Sequence, residues 1–214
     1  MKPSLFNLLR LIKRPRYASR LFRAHRVLSR FPQPYRLNLG CGKVRFPDWI
    51  NIDLSTSDSA ADLAWDLRDP LPVGDNTCEY IYTEHVLEHF TVEHGLALMR
   101  ECRRALQPGG VVRIAMPSLD VLVEKSANGH WRDQDWLHWP QFAHIQTRAE
   151  MMNIAFRSWG HLWLYDREEF HRRLKEAGFT TFTDAEWGRS SHTALSQRET
   201  RQDSLLICEA TKDA

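Results

Sequence analysis

The sequence lacks the features that define several special classes of protein. It has no run approaching the ~20 apolar residues that a membrane-spanning helix needs. Its four cysteines are scattered without a Cys-x-x-Cys pair, which argues against a disulfide framework and against a cysteine zinc site. No internal repeat is visible. With 43% hydrophobic and 26% charged side chains among 214 residues, the sequence predicts a soluble globular protein of the reducing cytoplasm.

Acidic residues are missing from the first 36 positions, which contain ten Lys or Arg. The remaining residues carry 19 basic and 27 acidic side chains, so a basic leader precedes an acidic body without a basic cleft, and nucleic acid is not an expected partner. Apolar residues at helical spacing before and after Pro15 predict two short amphipathic helices in an N-terminal extension, residues 1–34. We expect this extension to contact an anionic membrane peripherally, at its inner face; packing on the body or on a second subunit is the alternative.

From Tyr35 onward, short apolar runs alternate with helical patterns, as is typical of an α/β protein with a parallel sheet. The patterns predict helices at 91–106 and 167–177, and strands at 35–39, 49–53, 62–66, 78–83, 111–116, 179–187 and 204–210. The polar stretch 189–203 is predicted to be a mobile loop. Only residues 41–48 separate the first two strands, which is too short for a helical crossover, so a turn or loop is expected there.

The strongest local motif is Leu37–Lys43, LNLGCGK, in which a strand runs into Gly40-Cys41-Gly42. Glycines allow the backbone to approach a ligand closely. The third glycine of a dinucleotide fingerprint is missing, and no phosphate-binding loop of the Gly-x-x-x-x-Gly-Lys type occurs, which disfavours NAD and ATP. Asp53 ends the next predicted strand, where an acidic side chain can accept hydrogen bonds from both hydroxyls of a ribose, and Asp66 ends the strand after it.

Together with CEYIYTEHVLEH at 78–89 and LQPGGVVRIAMP at 106–117, these motifs resemble a class I S-adenosylmethionine-dependent methyltransferase of the small bacterial, type 11-like group. The resemblance covers about residues 35–211. It implies a methyltransferase domain over 35–214 with a doubly wound, Rossmann-like seven-stranded sheet whose last strand is antiparallel, and it implies S-adenosylmethionine as cofactor. By position, Gly40 and Gly42 would face the methionine part of the cofactor, Asp53 the ribose and Asp66 the adenine edge, and Cys41, Leu54 and Leu67 complete the expected contacts.

Five of the eight tryptophans fall within residues 126–165. The family builds its acceptor pocket after the fifth strand, so this insertion is predicted to be a lid or a stacking surface for a sugar or ring, with plain packing as the alternative. The resemblance implies methyl transfer to an oxygen, or less favourably a nitrogen, of a small molecule or a surface-glycan precursor. His85 is the first candidate for a general base and His161 the second, because imidazole suits proton transfer near neutral pH.

The string His85-Val86-Leu87-Glu88-His89 permits a different interpretation. It matches the His-x-x-Glu-His arrangement of some zinc peptidases, in which two imidazoles would hold zinc and Glu88 would act as base. No third ligand is identifiable from the sequence, so no metal site is predicted. A protein that binds the cofactor without catalysis is the third possibility. Cofactor binding distinguishes the zinc hydrolase from the other two, and turnover distinguishes those two from each other.

Overall fold

The computed structural model describes residues 15–213 and has a seven-stranded mixed sheet at its centre. The strands are β1 Tyr35–Leu39, β2 Ile50–Asp53, β3 Leu63–Ala64, β4 Cys78–Glu84, β5 Leu106–Met116, β6 Thr181–Asp184 and β7 Leu206–Thr211. Their order is β3-β2-β1-β4-β5-β7-β6, and β7 runs antiparallel to both of its neighbours. The predicted α/β architecture, a Rossmann-like sheet with an antiparallel last strand, is confirmed.

Five α-helices accompany the sheet in residues 15–213: α1 Pro15–Leu28, α2 Val92–Ala105, α3 Leu119–Ala127, α4 Arg148–Arg157 and α5 Arg167–Glu176. Four of them begin where a side-chain oxygen accepts a hydrogen bond from the first helical turn, at Thr91, Ser118, Thr147 and Asp166. The predicted helices at 91–106 and 167–177 are confirmed. The strand predicted at 111–116 begins earlier, because Leu106 already pairs with Cys78 of β4.

One large cluster of buried side chains joins α1, α2 and α5 to the sheet. A smaller cluster, centred on Phe46, Trp49 and Tyr82, lies beside the loop between β1 and β2. That loop contains no helix, as the short spacing predicted. Two parallel strands are therefore connected by an irregular segment whose aromatic side chains do the packing that a crossover helix would otherwise do.

Helix α1 packs on the body through the apolar face that the sequence predicted, residues Tyr17, Leu21, Ala24 and Leu28. The packing alternative is thus confirmed for this helix. The other predicted amphipathic helix, before Pro15, lies outside the described residues. Among residues 15–213, no helix combines the length and the apolar character that crossing a bilayer requires.

Candidate active site

The loop after β1 lies against the loop after β4. Gly40 has a φ of 69°, and a Cβ atom placed on it would lie 2.2 Å from Cγ2 of Val86. Gly42 has a φ of 52°, with no other atom within 4 Å of the position that its Cβ would take. Between them, the Cys41 side chain is buried, and burial is the main cause that raises the pKa of its thiol to about 11. The turn therefore has no room for a side chain at Gly40 and is open at Gly42, which suits a ligand lying against its backbone.

Asp53 provides an acceptor pair beside this turn. Its Oδ2 accepts a hydrogen bond from the backbone N–H of Gly42 at 2.8 Å, and its Oδ1 accepts one from the N–H of Leu54 at 2.7 Å. A carboxylate oxygen can accept two hydrogen bonds, so each keeps capacity for a ribose hydroxyl. The neighbouring Leu54 side chain is 67% exposed, which leaves an apolar surface for the rest of a nucleoside to cover. These residues fit the expected cofactor.

Asp66, expected at the adenine edge, and Leu67, expected among the further cofactor contacts, lie just after β3. Both carboxylate oxygens of Asp66 accept hydrogen bonds from the Arg68 guanidinium, at 2.7 to 3.2 Å, and this is the largest cause that lowers the pKa of Asp66. The Leu67 side chain belongs to the main core, so only its backbone is left to contact a cofactor. Leu54 and Asp66 line a cavity of about 480 Å³ whose far wall contains Arg20 and Arg23 of α1. Sequence reasoning missed these arginines, which it assigned to a separate extension.

A second, larger cavity of about 700 Å³ lies at the carboxyl ends of β4 and β5. Its walls include both predicted bases, part of the tryptophan-rich insertion and a stretch of the polar segment before β7; the residues are His85, His89, Ser118, Gln134, Trp136, Trp139, Trp159, His161 and 200–203. The structure thus brings His85 and His161 to one cavity. We call it the acceptor cavity.

The insertion contributes an aromatic wall to the acceptor cavity. Trp136, Trp139, Phe142 and Trp159 contact one another mostly edge to face, with ring centroids 5.2 to 6.5 Å apart. Trp136 is buried in a small hydrophobic cluster that is separate from the main core, whereas Trp139 and Trp159 remain 38% and 42% exposed. Packing of the insertion, the alternative interpretation, is therefore observed for Trp136, and a stacking role for Trp139 and Trp159 stays a prediction.

Two charged residues that the sequence analysis did not identify hold the polar segment before β7, which forms another wall of the acceptor cavity. Glu84, at the end of β4, accepts hydrogen bonds from the backbone and hydroxyl of Thr200, the backbone of Arg201 and the hydroxyl of Ser204. Arg113, fully buried in β5, forms ion pairs with Glu199 at 2.6 Å and Glu209 at 2.7 Å. The stretch 189–203, expected to be a mobile loop, is instead fastened to the sheet. The sequence did contain a signal for this contact. Arg113 is the single arginine in the apolar run of β5, and a buried arginine requires an acidic partner.

The two predicted bases differ in how their ring nitrogens are engaged. In His85, which has a φ of 53°, Nδ1 lies 3.1 Å from Oε1 of Glu88, and Nε2 lies 3.2 Å from the Ser204 hydroxyl. In His161, Nδ1 lies 2.8 Å from the backbone oxygen of Ala155. A carbonyl only accepts, so Nδ1 carries a proton, and Nε2 is the nitrogen that holds the lone pair in the neutral ring. His161 is therefore the better placed proton acceptor of the two.

The zinc alternative required His85 and His89 to share an ion. Both ring nitrogens of His85 face other protein groups, so the structure does not support that pair. It instead groups Glu88, His89 and His161, whose potential ligand atoms all lie within 4.8 Å of one another. The third ligand was not identifiable from the sequence because it lies on a different segment, after α4.

Comparison with known proteins agrees with this geometry. A family model described as a methyltransferase domain matches residues 17–183. A SAM-dependent methyltransferase from Thermotoga maritima, described as a possible histamine N-methyltransferase, is 14% identical, with a TM-score of 0.51 over 92% of this chain and 89% of that one. A SAM-dependent methyltransferase from Archaeoglobus fulgidus is 13% identical, with a TM-score of 0.52 over 90% and 92%. At these identities the two structures show a shared fold. No curated protein matches the sequence.

The family match and the geometry lead to the same conclusion. The family model covers more than half of the chain, including the turn at Gly40 and the carboxylate of Asp53. Neither the turn nor the carboxylate alone would distinguish one nucleoside cofactor from another. The chain therefore belongs to the methyltransferase-domain family, and it is an enzyme that uses S-adenosylmethionine.

Proposed function

We propose that the enzyme transfers the methyl group to a hydroxyl oxygen of a small molecule or surface-glycan precursor held in the acceptor cavity. The observation that carries this proposal is the composition of the cavity wall. Exposed faces of Trp139 and Trp159 offer stacking surfaces for a sugar or ring. Nε2 of Gln134, buried in the same wall, has no hydrogen-bond partner among residues 15–213, so it is a donor available to an acceptor oxygen.

His161 is proposed to receive the proton. S-adenosylmethionine supplies an electrophilic methyl group on a sulfonium when bound. As the oxygen–carbon bond forms and the sulfur–carbon bond breaks, the hydroxyl proton passes to Nε2 of His161, whose other nitrogen is held by Ala155. Orienting the hydroxyl in line with the methyl group contributes up to ~7–11 kcal/mol, and a positioned base adds ~10²–10⁴-fold. His85 is proposed to be a positioning residue that holds Glu88 and the wall at Ser204.

The test is transfer of an isotope-labelled methyl group to a panel of hydroxyl-bearing small molecules and nucleotide-linked or lipid-linked sugars. We expect His161→Ala to lower turnover by ~10²–10⁴-fold while leaving the affinity for S-adenosylhomocysteine unchanged by calorimetry. His138→Ala, an exposed histidine of the same insertion, is the matched control and is expected to be neutral. Labelling of amine acceptors alone would contradict oxygen transfer. Binding of the cofactor without any labelled product would favour a non-catalytic protein.

We also propose that the enzyme contacts the cytoplasmic face of an anionic membrane through the outer side of α1. Phe22 is 66% exposed, and the exposed Arg26 and Arg30 follow it at spacings of four residues, away from the packed face. Each basic residue near such a surface contributes ~1 kcal/mol of attraction. This contact would bring the enzyme to the surface that carries lipid-linked acceptors.

Co-sedimentation with phosphatidylglycerol vesicles tests the membrane contact. The full chain is expected to pellet at low salt and to be released at high salt, because the attraction is electrostatic. Arg26→Glu/Arg30→Glu should reduce pelleting, whereas Arg132→Glu/Arg189→Glu, an equal charge change at exposed positions elsewhere, should not. Equal pelleting of both double variants, or no pelleting of the wild type, would refute this contact.

A further inference from the structure

Beside the acceptor cavity, three potential metal ligands converge from two segments. Glu88 and His89 belong to the short 3-10 helix Leu87–His89, and His161 follows the turn after α4. Backbone hydrogen bonds fix the two segments together, since the N–H groups of Leu162 and Trp163 both donate to the carbonyl oxygen of Glu88, at 2.8 and 3.2 Å. The rings of His89 and His161 lie 5.1 Å apart and are inclined at 69°. The arrangement is therefore set by the backbone.

Glu88 carries a charge for which the described residues provide little compensation. The residue is 1% exposed, and neither carboxylate oxygen has a well-formed hydrogen bond within residues 15–213. The nearest group is Nδ1 of His85, 3.1 Å from Oε1, at an ion-pair distance. A buried carboxylate with open lone pairs is costly, so it calls for a cation.

The backbone orients the His161 ring toward the cluster. Nδ1 of His161 donates to the carbonyl oxygen of Ala155, which leaves Nε2 as the ligand atom. An imidazole oriented by a backbone carbonyl is the usual arrangement at metal centres. His89 and His161 both line the acceptor cavity, which gives an ion a path of entry.

We propose that Glu88, His89 and His161 bind one divalent transition-metal ion of the Zn²⁺ type. Two imidazoles and one carboxylate suit Zn²⁺ and its neighbours in the first transition row better than Mg²⁺ or Ca²⁺. Three protein ligands leave a position for a further oxygen, as in catalytic zinc sites. An acceptor hydroxyl bound there would lose its proton more readily, and the proton would pass to solvent in the cavity. With Nε2 bound to the ion, His161 would be a ligand in place of the proton acceptor described under the proposed function. The inference goes beyond the proposed methyl transfer and does not depend on it, because ion binding needs neither cofactor nor acceptor.

The experiment is a titration of the untagged full chain, first stripped with a chelator, with Co²⁺ followed by its visible absorption and with Zn²⁺ followed by calorimetry. We expect one ion per chain. Replacing a residue that only orients a ligand costs ~10–100-fold in metal affinity, which is the loss expected for His85→Ala; His161→Ala and His89→Ala remove ligands and should lose at least as much. His138→Ala is the matched control and should bind as the wild type does. Thermal unfolding of each variant shows that the fold is intact.

Specific outcomes would overturn the site. A wild-type chain without saturable Co²⁺ binding refutes it. So does binding that survives in His161→Ala but is lost in His171→Ala, because that result assigns the ion to the other cluster of potential ligands in the described residues, His171, Asp184 and Cys208. Methyl transfer by a chain that binds no ion would leave the proposed function intact. Ion binding by a chain that transfers no methyl group would support the metal site and contradict the proposed methyl transfer.

Discussion

At the scale of single residues, Gly40 is required by contact and not only by backbone conformation. Gly40 and Gly109 both have a positive φ, of 69° and 76°, but only at Gly40 would a Cβ meet another atom within 4 Å, namely Cγ2 of Val86. The left-handed conformation costs an alanine ~1–2 kcal/mol at either position. We therefore predict that Gly109→Ala lowers the free energy of unfolding by about that amount, and that Gly40→Ala lowers it further and weakens S-adenosylhomocysteine binding. Urea unfolding and calorimetry measure the two effects.

The double variant Gly40→Ala/Val86→Ala separates contact from conformation. Val86→Ala alone is measured beside it, because truncating this buried valine has a cost of its own. Gly40→Ala should lower stability less in the Val86→Ala chain than in the wild type, and an equal loss in both would mean that the backbone conformation alone accounts for the requirement at Gly40.

At the scale of secondary structure, α1 behaves as part of the body. Leu28 is 2% exposed within the main core, whereas Phe22 of the same helix is 66% exposed. Truncating a buried leucine costs ~2–5 kcal/mol, and a surface substitution usually changes stability by less than ~0.5 kcal/mol. We predict that Leu28→Ala lowers the thermal midpoint by several degrees, since each kcal/mol shifts it by ~2–4 °C in a chain of this size, while Phe22→Ala leaves it unchanged. Similar midpoints for the two variants would show that α1 is not needed for the fold.

Sequence patterns predicted the sheet and the helices α2 and α5, because buried apolar residues recur along the chain with the period of a strand or of a helix. The same patterns predicted where Gly40 and Asp53 lie, because Gly40 directly follows β1 and Asp53 is the last residue of β2. They could not give the pairing of Asp66 with Arg68 or the buried position of the Leu67 side chain, because a pattern does not fix side-chain directions beyond a strand end. The grouping of Glu88 with His161 depends on a turn in which Trp159 has a φ of 58°, and the spacing of apolar residues does not predict such a turn.

At the scale of the whole molecule, several carboxylates along the chain have lowered pKa values, among them Asp62 and Asp66 on either side of β3 and Glu150 and Glu169 in the helical part. In Asp62, burial opposes ionisation, but hydrogen bonds from the backbone and side chain of Asn51 and the ion pair with Arg45, at 2.7 Å, outweigh it. In Asp66 the bonds from Arg68 are the largest cause. Asp62 joins the start of β3 to Asn51 of β2, whereas Asp66 holds the turn after β3. Their ionised forms are therefore favoured by folding.

The pH dependence of stability follows from the sign of these shifts. A carboxyl group with a lower pKa in the folded than in the unfolded chain binds fewer protons when folded, so its contribution is complete above the unfolded pKa of about 4 and is lost as the pH falls below it. We predict that the free energy of unfolding in urea stays level down to about pH 5 and then declines. Asp62→Asn should decline less steeply, because it has one such proton fewer to bind. Asp48→Asn is the control, since Asp48 is exposed and has a φ of 62° that asparagine also adopts; it should follow the wild type. If Asp62→Asn declines as steeply as the wild type, the contacts from Asn51 and Arg45 do not carry the acid sensitivity of the fold.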